Sequence, residues 1–395
     1  MKGRDVIVKA LENEGVKVIF GYPGGTSMEI HQGLTLTKKI RMVLPRHEQG
    51  GSFAAGGYAR STGEVGVCMA TSGPGATNLI TGIIDAKMDS IPIVAITGQV
   101  ASTLLGSDAF QETDIMGATF PLVKHSYMIQ NVEEIPRIVH EAFHIARSGR
   151  PGPVLIDIPK NIQQQEGIAD FDVSFDCPSY KPNLKPSVLQ CKKAAHTIQT
   201  AKRPIIYAGG GIISSGASEE LRAFAKKTGI PVTTTAMGLG AFPSNDPLSL
   251  RMLGMHGAVY ANIAINHADL VIAMGVRFDD RVTGKLAEFC KNAQFIQIDI
   301  DPTEINKNIM IDVPIQGDVK QALKILQGYV EPKKDIKPWI KQVNDWKKEF
   351  PLEFELKEGE IVPQSVVSDV NKLSDKDAIF SVGVGQHQMW AAQFL

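Results

Sequence analysis

The chain has little of what marks a special environment or partner. Its 395 residues hold four cysteines, Cys68, Cys177, Cys191 and Cys290, widely spaced and with no CxxC pair. That spacing argues against a disulfide frame and a cysteine-built metal site, and reads as reduced, mostly buried thiols in a reducing compartment. Neither sign of charge is in excess: 41 Lys and Arg stand against 42 Asp and Glu, a formal net charge of -1. Neither nucleic acid nor a membrane surface is implied as partner. No uncharged apolar run is long enough to span a bilayer. There is no short internal repeat and no low-complexity tract. The opening residues, MKGRDVIVKALENEG, show helical periodicity without an apolar signal core or an Arg/Ser-rich transit segment. The expected location is therefore cytoplasmic.

What is present is an α/β pattern. Such a length is more than one core usually serves, so two or three domains are expected. Residues 1–165 alternate helical stretches with the apolar strands KVIFGY, RMVLP, VGVCMAT, IPIVAITG and PVLIDIP. Continuous apolar strands between helices predict a doubly wound parallel sheet covered on both faces. Residues 161–185 lose the pattern, carry prolines and read as a linker. A second unit over 186–330 has the strands RPIIYAGGG, IPVTTT, DLVIAMG, AQFIQIDID and VPIQGD, a Rossmann-like pattern. The polar stretch 331–338 reads as a joint. A third unit over 337–395 offers helices near 337–350 and 362–374, the strand DAIFSVGVG and the start of a last helix. One strand and three helices do not close an α/β core, so this unit reads as incomplete.

Three Gly/Pro turns, GYPGG (21–25), TSGPGATN (71–78) and ITGQV (96–100), each follow an apolar strand. Ligands of open parallel sheets bind beyond the carboxyl ends of the strands. Each turn alone is explained by chain reversal; the set, with Glu48 among them, points to a ligand-binding edge. Glu48 at a helix start complements the dipole. The small residues behind it, Gly50, Gly51, Ala54 and Ala55, disfavour a helix unless close packing or a ligand compensates. YAGGGI (207–212) follows a strand and offers backbone N–H groups to a pyrophosphate, although it is not GxGxxG. Asp299 and Asp301 end a strand, where an acid can take a ribose hydroxyl. Arg277, Asp279, Asp280 and Arg281 are either a solvated charge cluster or part of a site.

The motifs GYPGG, PRHEQG, ATSGPGATNLITG, GQVASTLLGSDAFQE, KHS, GRPGPVLIDIPK, LGMHG, GVRFDDRVTG, QIDIDPTEI and GVGQHQMWAAQF occur in that order. In them the chain resembles, from about residue 3 to its last residue, the catalytic subunit of the acetolactate synthase (acetohydroxyacid synthase) family. The Glu48 and SGPGATN patterns are shared by the wider thiamine-diphosphate decarboxylases; DAFQE and RFDDRVTG are narrower. The resemblance implies a thiamine-diphosphate-binding fold: a pyrimidine-binding domain, a central FAD-associated domain, and the beginning of a diphosphate-binding domain. It implies decarboxylation of pyruvate and carboligation to a second pyruvate or to 2-oxobutyrate, in valine, leucine and isoleucine biosynthesis. Another thiamine-diphosphate decarboxylase or oxidase, and a non-catalytic FAD- or subunit-binding fragment, are the competing readings.

Residue roles follow by matching position. A glutamate at the Glu48 position hydrogen-bonds N1′ of the cofactor's aminopyrimidine and promotes loss of the thiazolium C2 proton, work that a dry pocket would favour. Gly24, Gly25, Pro74 and Asn78 match thiamine-diphosphate loops, and Val384, Gly385, Gln386 and His387 match the first diphosphate loop. Phe110, Gln111 and Lys124 match the substrate entrance, with Gln111 and Lys124 counted as catalytic. Arg281 matches an arginine that pairs with the second 2-oxoacid, as its fork suits a carboxylate. Arg150, Gly209, Gly210, Gly211, Gly254, Met255, His256, Gly257, Gly275, Arg277, Asp299, Ile300 and Asp318 match FAD positions. His125 and His256 are also readable as packed histidines. The family's Mg²⁺ ligands, a Gly-Asp-Gly stretch and a later Asn, are expected beyond residue 395, and none is assigned within the chain. A homo-oligomer with the active site between subunits is implied, with a small regulatory subunit possible. This polypeptide alone is expected to be inactive.

Overall fold

Apolar strands separated by helices build two all-parallel six-stranded sheets, one in each of two compact units, Met1–Pro182 and Asn183–Leu395. They are described from a computed structural model that covers every residue except 175, 176, 178, 334 and 357. Those positions fall in the linker expected at 161–185, the joint expected at 331–338 and the third unit expected at 337–395, and lie outside the described residues.

The first sheet contains β1 (Val18–Gly21), β2 (Arg41–Val43), β3 (Gly66–Ala70), β4 (Ile93–Gln99), β5 (His125–Met128) and β6 (Val154–Pro159), in the order β2-β1-β3-β4-β6-β5. Side chains alternate across a strand. Val67 and Met69 therefore enter the core under the helices Gly3–Asn13 and Ile135–Arg147, while Cys68 and Ala70 enter the one under Glu48–Thr62 and Ile80–Asp89. The helix Glu48–Thr62 lies flush on the sheet: a Cβ added at Gly66 would sit 2.1 Å from the carbonyl of Ala55. This closeness fixes where Glu48 emerges.

The second sheet contains β7 (Pro204–Ala208), β8 (Val232–Thr234), β9 (Ser249–Met252), β10 (Leu270–Met274), β11 (Gln294–Asp299) and β12 (Val313–Gln316), in the order β12-β11-β10-β7-β8-β9. Its core holds Tyr207, Phe224 and Phe278.

Four features differ from the sequence reading. Strands β5 and β9 are short edge strands, reading HSYM and SLRM, and lack the apolar run that announces a central strand. Residues 377–385 form no strand: Ile379 and Val384 are exposed, and none of the described strands pairs with them. An unpaired strand has no partner for its N–H and C=O groups. Residues 165–182 stay with the first unit, where Met1 and Gly167 exchange backbone hydrogen bonds and Tyr180 donates to Ser148 O at 2.8 Å. The helix Lys337–Glu349 stays with the second: Trp339 and Val343 are buried in its core, and Trp339 Nε1 donates to Pro204 O at 3.1 Å.

Candidate active site

In the first unit the chain runs from β1 outward to β2, then crosses to β3 on the other side. The loops after β1 and β3 therefore diverge at the carboxyl edge, the place where open α/β sheets bind ligands. Glu48 opens its helix there, preceded by His47, whose Nδ1 accepts from the amide of Gln49 at 3.1 Å. The Glu48 side chain is half-buried, and Asn78 Nδ2 donates to its Oε2 at 3.0 Å. Its Oε1 faces Gly75. A Cβ added at Gly75 would meet Thr71 Cγ2 at 2.7 Å and Glu48 Oε1 at 3.4 Å. A carboxylate, an amide and a cradle that only glycine leaves open thus converge on one spot.

The loop after β1 is laced to the loop after β3. Thr26 N and Thr26 Oγ1 lie 3.1 and 2.9 Å from Thr71 Oγ1, and Ser72 N donates to Thr26 Oγ1 at 2.9 Å. Gly24 packs on Thr71, where an added Cβ would come within 2.5 Å, whereas Gly25 faces open space. Pro74 is the exposed first residue of the short helix Pro74–Asn78. Gln111, with φ of 59°, lays its carbonyl beneath the Gly73 turn; a Cβ at Gly73 would approach it to 2.7 Å. Phe110 beside it is 87% exposed.

Two expected residues lie elsewhere. Lys124 precedes β5, at the amino edge of the same parallel sheet. Its ammonium donates to the carbonyls of Ile145 and Ser148 and to Tyr180 OH, so it caps the end of the helix Ile135–Arg147. Arg150 lies on the turn before β6, also at the amino edge, where its Nε donates to Ser90 Oγ at 2.8 Å. Thr26, Thr71, Gln99 and Asp157 were not singled out from the sequence. Thr71, Gln99 and Asp157 lay inside quoted motifs, but only their contacts reveal their part. The small residues after Glu48 divide in two. Gly51 and Ala55 face β1 and β3, while Gly50 and Gly57 face open space.

In the second unit, Gly209, Gly210, Gly211, Gly254, Met255, His256, Gly257, Gly275, Arg277, Arg281, Ile300 and Asp318 follow strands of the second sheet and Asp299 ends β11, at its carboxyl edge. The amides offered to a pyrophosphate are already partly used: Gly209 N donates to Met274 O at 3.0 Å and Gly211 N to Gly275 O at 3.2 Å. A Cβ on Gly209 would sit 2.1 Å from Gly275 O, so this glycine serves a close backbone crossing. Asp299 accepts from Asp301 N, and Asp318 caps the helix Val319–Gln327 by accepting from Gln321 N, both at 2.9 Å. Arg281 is exposed and lies 3.8 Å from Asp280. His256 is half-buried, and its carbonyl accepts from Gln393 Nε2. Val384 is exposed, and Gly385 caps the helix Gln386–Phe394, with His387 folded back on Gly385.

Among the described residues no group of three or more His, Cys, Asp or Glu could hold a metal ion, and no helix is long and apolar enough to cross a membrane. The four cysteines are free, and burial pushes the thiols of Cys68 and Cys290 up to about 12.

Residues 1–118 match the thiamine pyrophosphate enzyme family, N-terminal TPP binding domain, and residues 191–326 match the thiamine pyrophosphate enzyme family, central domain. Over its full length the chain is 54% identical to acetolactate synthase 3, chloroplastic, of Brassica napus, and covers 61% of that protein. It is 53% identical to acetolactate synthase, chloroplastic, of Arabidopsis thaliana and 52% identical to acetolactate synthase 1, chloroplastic, of Zea mays, covering 59% and 62% of them. The chain thus spans about 60% of the length of these relatives. Their names correct the expectation of a cytoplasmic location, since these relatives are chloroplastic and point to the plastid. The opening residues fold into the core helix Gly3–Asn13, so their periodicity reports a domain helix and carries no information on compartment. With the N-terminal and central domain families both matched, and acetolactate synthases matched along the whole chain, the protein belongs to the thiamine pyrophosphate enzymes.

Proposed function

We propose that the chain carries the pyrimidine-binding and central parts of an acetolactate synthase. It would act on pyruvate, joining a two-carbon unit to a second pyruvate or to 2-oxobutyrate. The observation that carries this reading is the convergence of Glu48, Asn78 and Gly75 at the divergence of the loops after β1 and β3. The residues fit an aminopyrimidine. Gly75 packs closely on Thr71 beside Glu48 Oε1, while Oε2 is held by Asn78 and Oε1 is left for a ring nitrogen. Thiamine diphosphate, when bound, supplies the carbon nucleophile and the electron sink. Glu48 would hold the ring proton at N1′ through a short carboxylate hydrogen bond. Asn78 would fix the carboxylate's rotamer. The Thr26–Thr71 lacing would keep Gly24 and Gly25 close without their own side chains intruding. Gln111 and Phe110 would border the substrate's path.

FAD is proposed at the carboxyl edge of the second sheet, with Arg277 offered to its phosphates and Asp299 to a hydroxyl. The residues fit this only in part, because the amides of Gly209 and Gly211 are donated within the protein. Arg281, on an exposed turn, would pair with the carboxylate of the second 2-oxoacid. Val384, Gly385, Gln386 and His387 are proposed for the diphosphate, and residues 337–395 as the opening of the domain that binds it. Mg²⁺ would neutralise the diphosphate, and no ligand for it is assigned here. A second copy of the chain is proposed to cover the outer face of the helices Glu48–Thr62 and Ile80–Asp89. There Phe53, Ile84 and Met88 are exposed beside the open Gly50 and Gly57. Such an apolar face marks an interaction surface.

The test is the complete protein supplied with pyruvate, thiamine diphosphate, FAD and Mg²⁺, with acetolactate measured directly. Acetaldehyde or acetate as sole product would refute the carboligase reading and favour a decarboxylase or oxidase.

A further inference from the structure

A carboxylate lies where an apolar side chain would be the simpler choice. Asp157, on β6 between β4 and the edge strand β5, has no exposed surface. Its Oδ1 accepts from Thr97 Oγ1 at 2.7 Å and its Oδ2 from Gln99 Nε2 at 2.9 Å, both on the neighbouring strand β4. Buried charged groups seldom repay their desolvation in stability, so their use in orienting a neighbour is the question to ask. Here the neighbour is Gln99. Its Nε2 also donates to Thr113 O at 2.9 Å, and its Oε1 accepts from Val100 N at 2.9 Å. Every donor and acceptor of that amide is used, in one orientation only. An ionised carboxylate accepts and never donates. It therefore admits the NH₂ end of Gln99 and excludes the flipped amide.

Thr113 ends the segment that bears Phe110 and Gln111. That segment is braced internally, since the Glu112 carboxylate accepts from the amides of Gly106 and Ala109. It is seated at two places: at Gly73, beneath which the Gln111 carbonyl lies, and at Thr113, held by Gln99. The residue after Thr113, Asp114, caps the helix Ile115–Thr119 by accepting from Gly117 N at 2.8 Å.

We propose that Gln99 and Asp157 are positioning residues, the buried carboxylate orienting the Gln99 amide so that it fixes the seat of the 106–113 segment against the Gly73–Pro74 turn. That this turn borders a cofactor rests on the function proposed above. The positioning relation does not. Burial raises the Asp157 carboxyl to about 6, and the charge of Asp114 adds to this, while the Thr97 and Gln99 hydrogen bonds oppose it. Tyr127 on β5 and Glu141 and Arg137 on the helix Ile135–Arg147 bond to one another on the opposite face of the sheet, the one that Ile156 and Ile158 enter. Protonation would let the carboxyl donate, removing the constraint on Gln99.

Hydrogen–deuterium exchange of the full chain tests this, comparing wild type with Gln99→Met, Asp157→Leu and Asp157→Asn. Gln99→Met and Asp157→Leu should speed exchange of the 106–113 amides by about tenfold, the worth of one buried hydrogen bond, while β4 and β6 stay protected. Asp157→Asn brings a donor that can face Gln99, as protonation does, and should speed the same exchange by a smaller factor of about threefold. If Asp157→Leu does not fold, Gln99→Met with Asp157→Asn still decides. Unchanged loop exchange in Gln99→Met overturns the proposal, as does a loss of protection spread evenly through β4 and β6. Calorimetric titration with thiamine diphosphate separates the two readings. It uses the complete protein carrying the same substitutions, with Mg²⁺ present, because no ligand for that ion is assigned within residues 1–395. A loosened segment with unweakened binding keeps the positioning role and refutes the segment's place at the cofactor. Failure of the wild-type complete protein to bind counts against the proposed function alone.

Discussion

Asn78 Nδ2 donates to Glu48 Oε2 at 3.0 Å, across 30 residues of chain, and so fixes which oxygen of the carboxylate turns toward Gly75. The two side chains come from helices that follow different strands, β2 and β3. Neither helix start alone would make a site. Glu48→Gln keeps shape and can still accept from Asn78, so its melting temperature should stay within a few degrees of wild type. Acetolactate formation by the complete protein should fall by about 100-fold or more, the usual worth of a positioned acid–base group. Turnover near the wild-type rate would remove Glu48 from the chemistry.

The Gly75 cradle gives a steric prediction. Its backbone is helical, so alanine there is conformationally acceptable, but the new methyl would lie 2.7 Å from Thr71 Cγ2. Gly75→Ala should weaken thiamine diphosphate binding by calorimetry and cost roughly 1–3 kcal/mol of stability. Adding Thr71→Ser removes the offending methyl while keeping the hydroxyl that meets Thr26. The double variant should regain most of the stability but not the affinity, because the alanine methyl still stands 3.4 Å from Glu48 Oε1, the oxygen proposed to meet the ring. Full recovery of both would mean that the cradle holds no ligand.

These sites show what a sequence makes legible. Strands β3, β4, β6, β7 and β10 are buried along their whole length, so their apolar runs were plain. β5 and β9 are edge strands with mixed composition, and 377–385 has an apolar run without a pairing partner. Glu48 and Asn78 stood in recognisable motifs. The Gln99–Asp157 contact joins residues 58 positions apart and depends on the pairing of β4 with β6. Glycine run 209–211 told that something approaches closely, without telling that Gly275 is what approaches Gly209 and Gly211.

Asp157 sets one pH dependence of stability. Its carboxyl is raised from 3.8 to about 6, so the folded chain holds a proton that the unfolded chain has already released. Stability from this group is therefore full below about 4, declines as pH rises, and levels off above about 6. The span is worth roughly 3 kcal/mol. Asp157→Asn removes the titration. Urea unfolding from pH 4 to 7 should show the variant gaining on wild type as pH rises, by an amount that stops growing near pH 6. A constant difference across that range would contradict the assignment.

His31 acts in the opposite sense. It is buried, its Nδ1 donates to Ser27 O at 2.8 Å, and Nε2 has no partner among the described residues. Burial lowers its pKa from 6.5, so the unfolded chain takes up a proton first. Stability from this group is complete above 6.5 and is lost as pH falls below it. His31→Asn retains a donor for Ser27 O without a titrating ring. Between pH 7 and 5 the variant should lose less stability than wild type, measured by the same unfolding series. A parallel decline in both proteins would show that another group governs the acid limb.

The glycine run after β7 separates packing from ligand binding. Gly209 has φ of -108° and ψ of -172°, extended values open to any residue, so strain plays no part in its being glycine. What excludes a side chain is the carbonyl of Gly275, 2.1 Å from an added Cβ, with Val276 Cγ1 at 2.7 Å. Both contacts are set by the pairing of β7 with β10, which cannot shift without disturbing the centre of the second sheet. Gly209→Ala should therefore lower stability by roughly 3 kcal/mol or more in flavin-free protein, at the upper end of overpacking costs. Gly25→Ala is the control, since nothing lies within 4 Å of its added Cβ, and it should leave unfolding unchanged. Flavin retention, measured by absorbance after desalting, completes the comparison. If Gly209→Ala unfolds normally and only flavin is lost, the run faces a ligand after all, and the close crossing over Gly275 is not what selects glycine there.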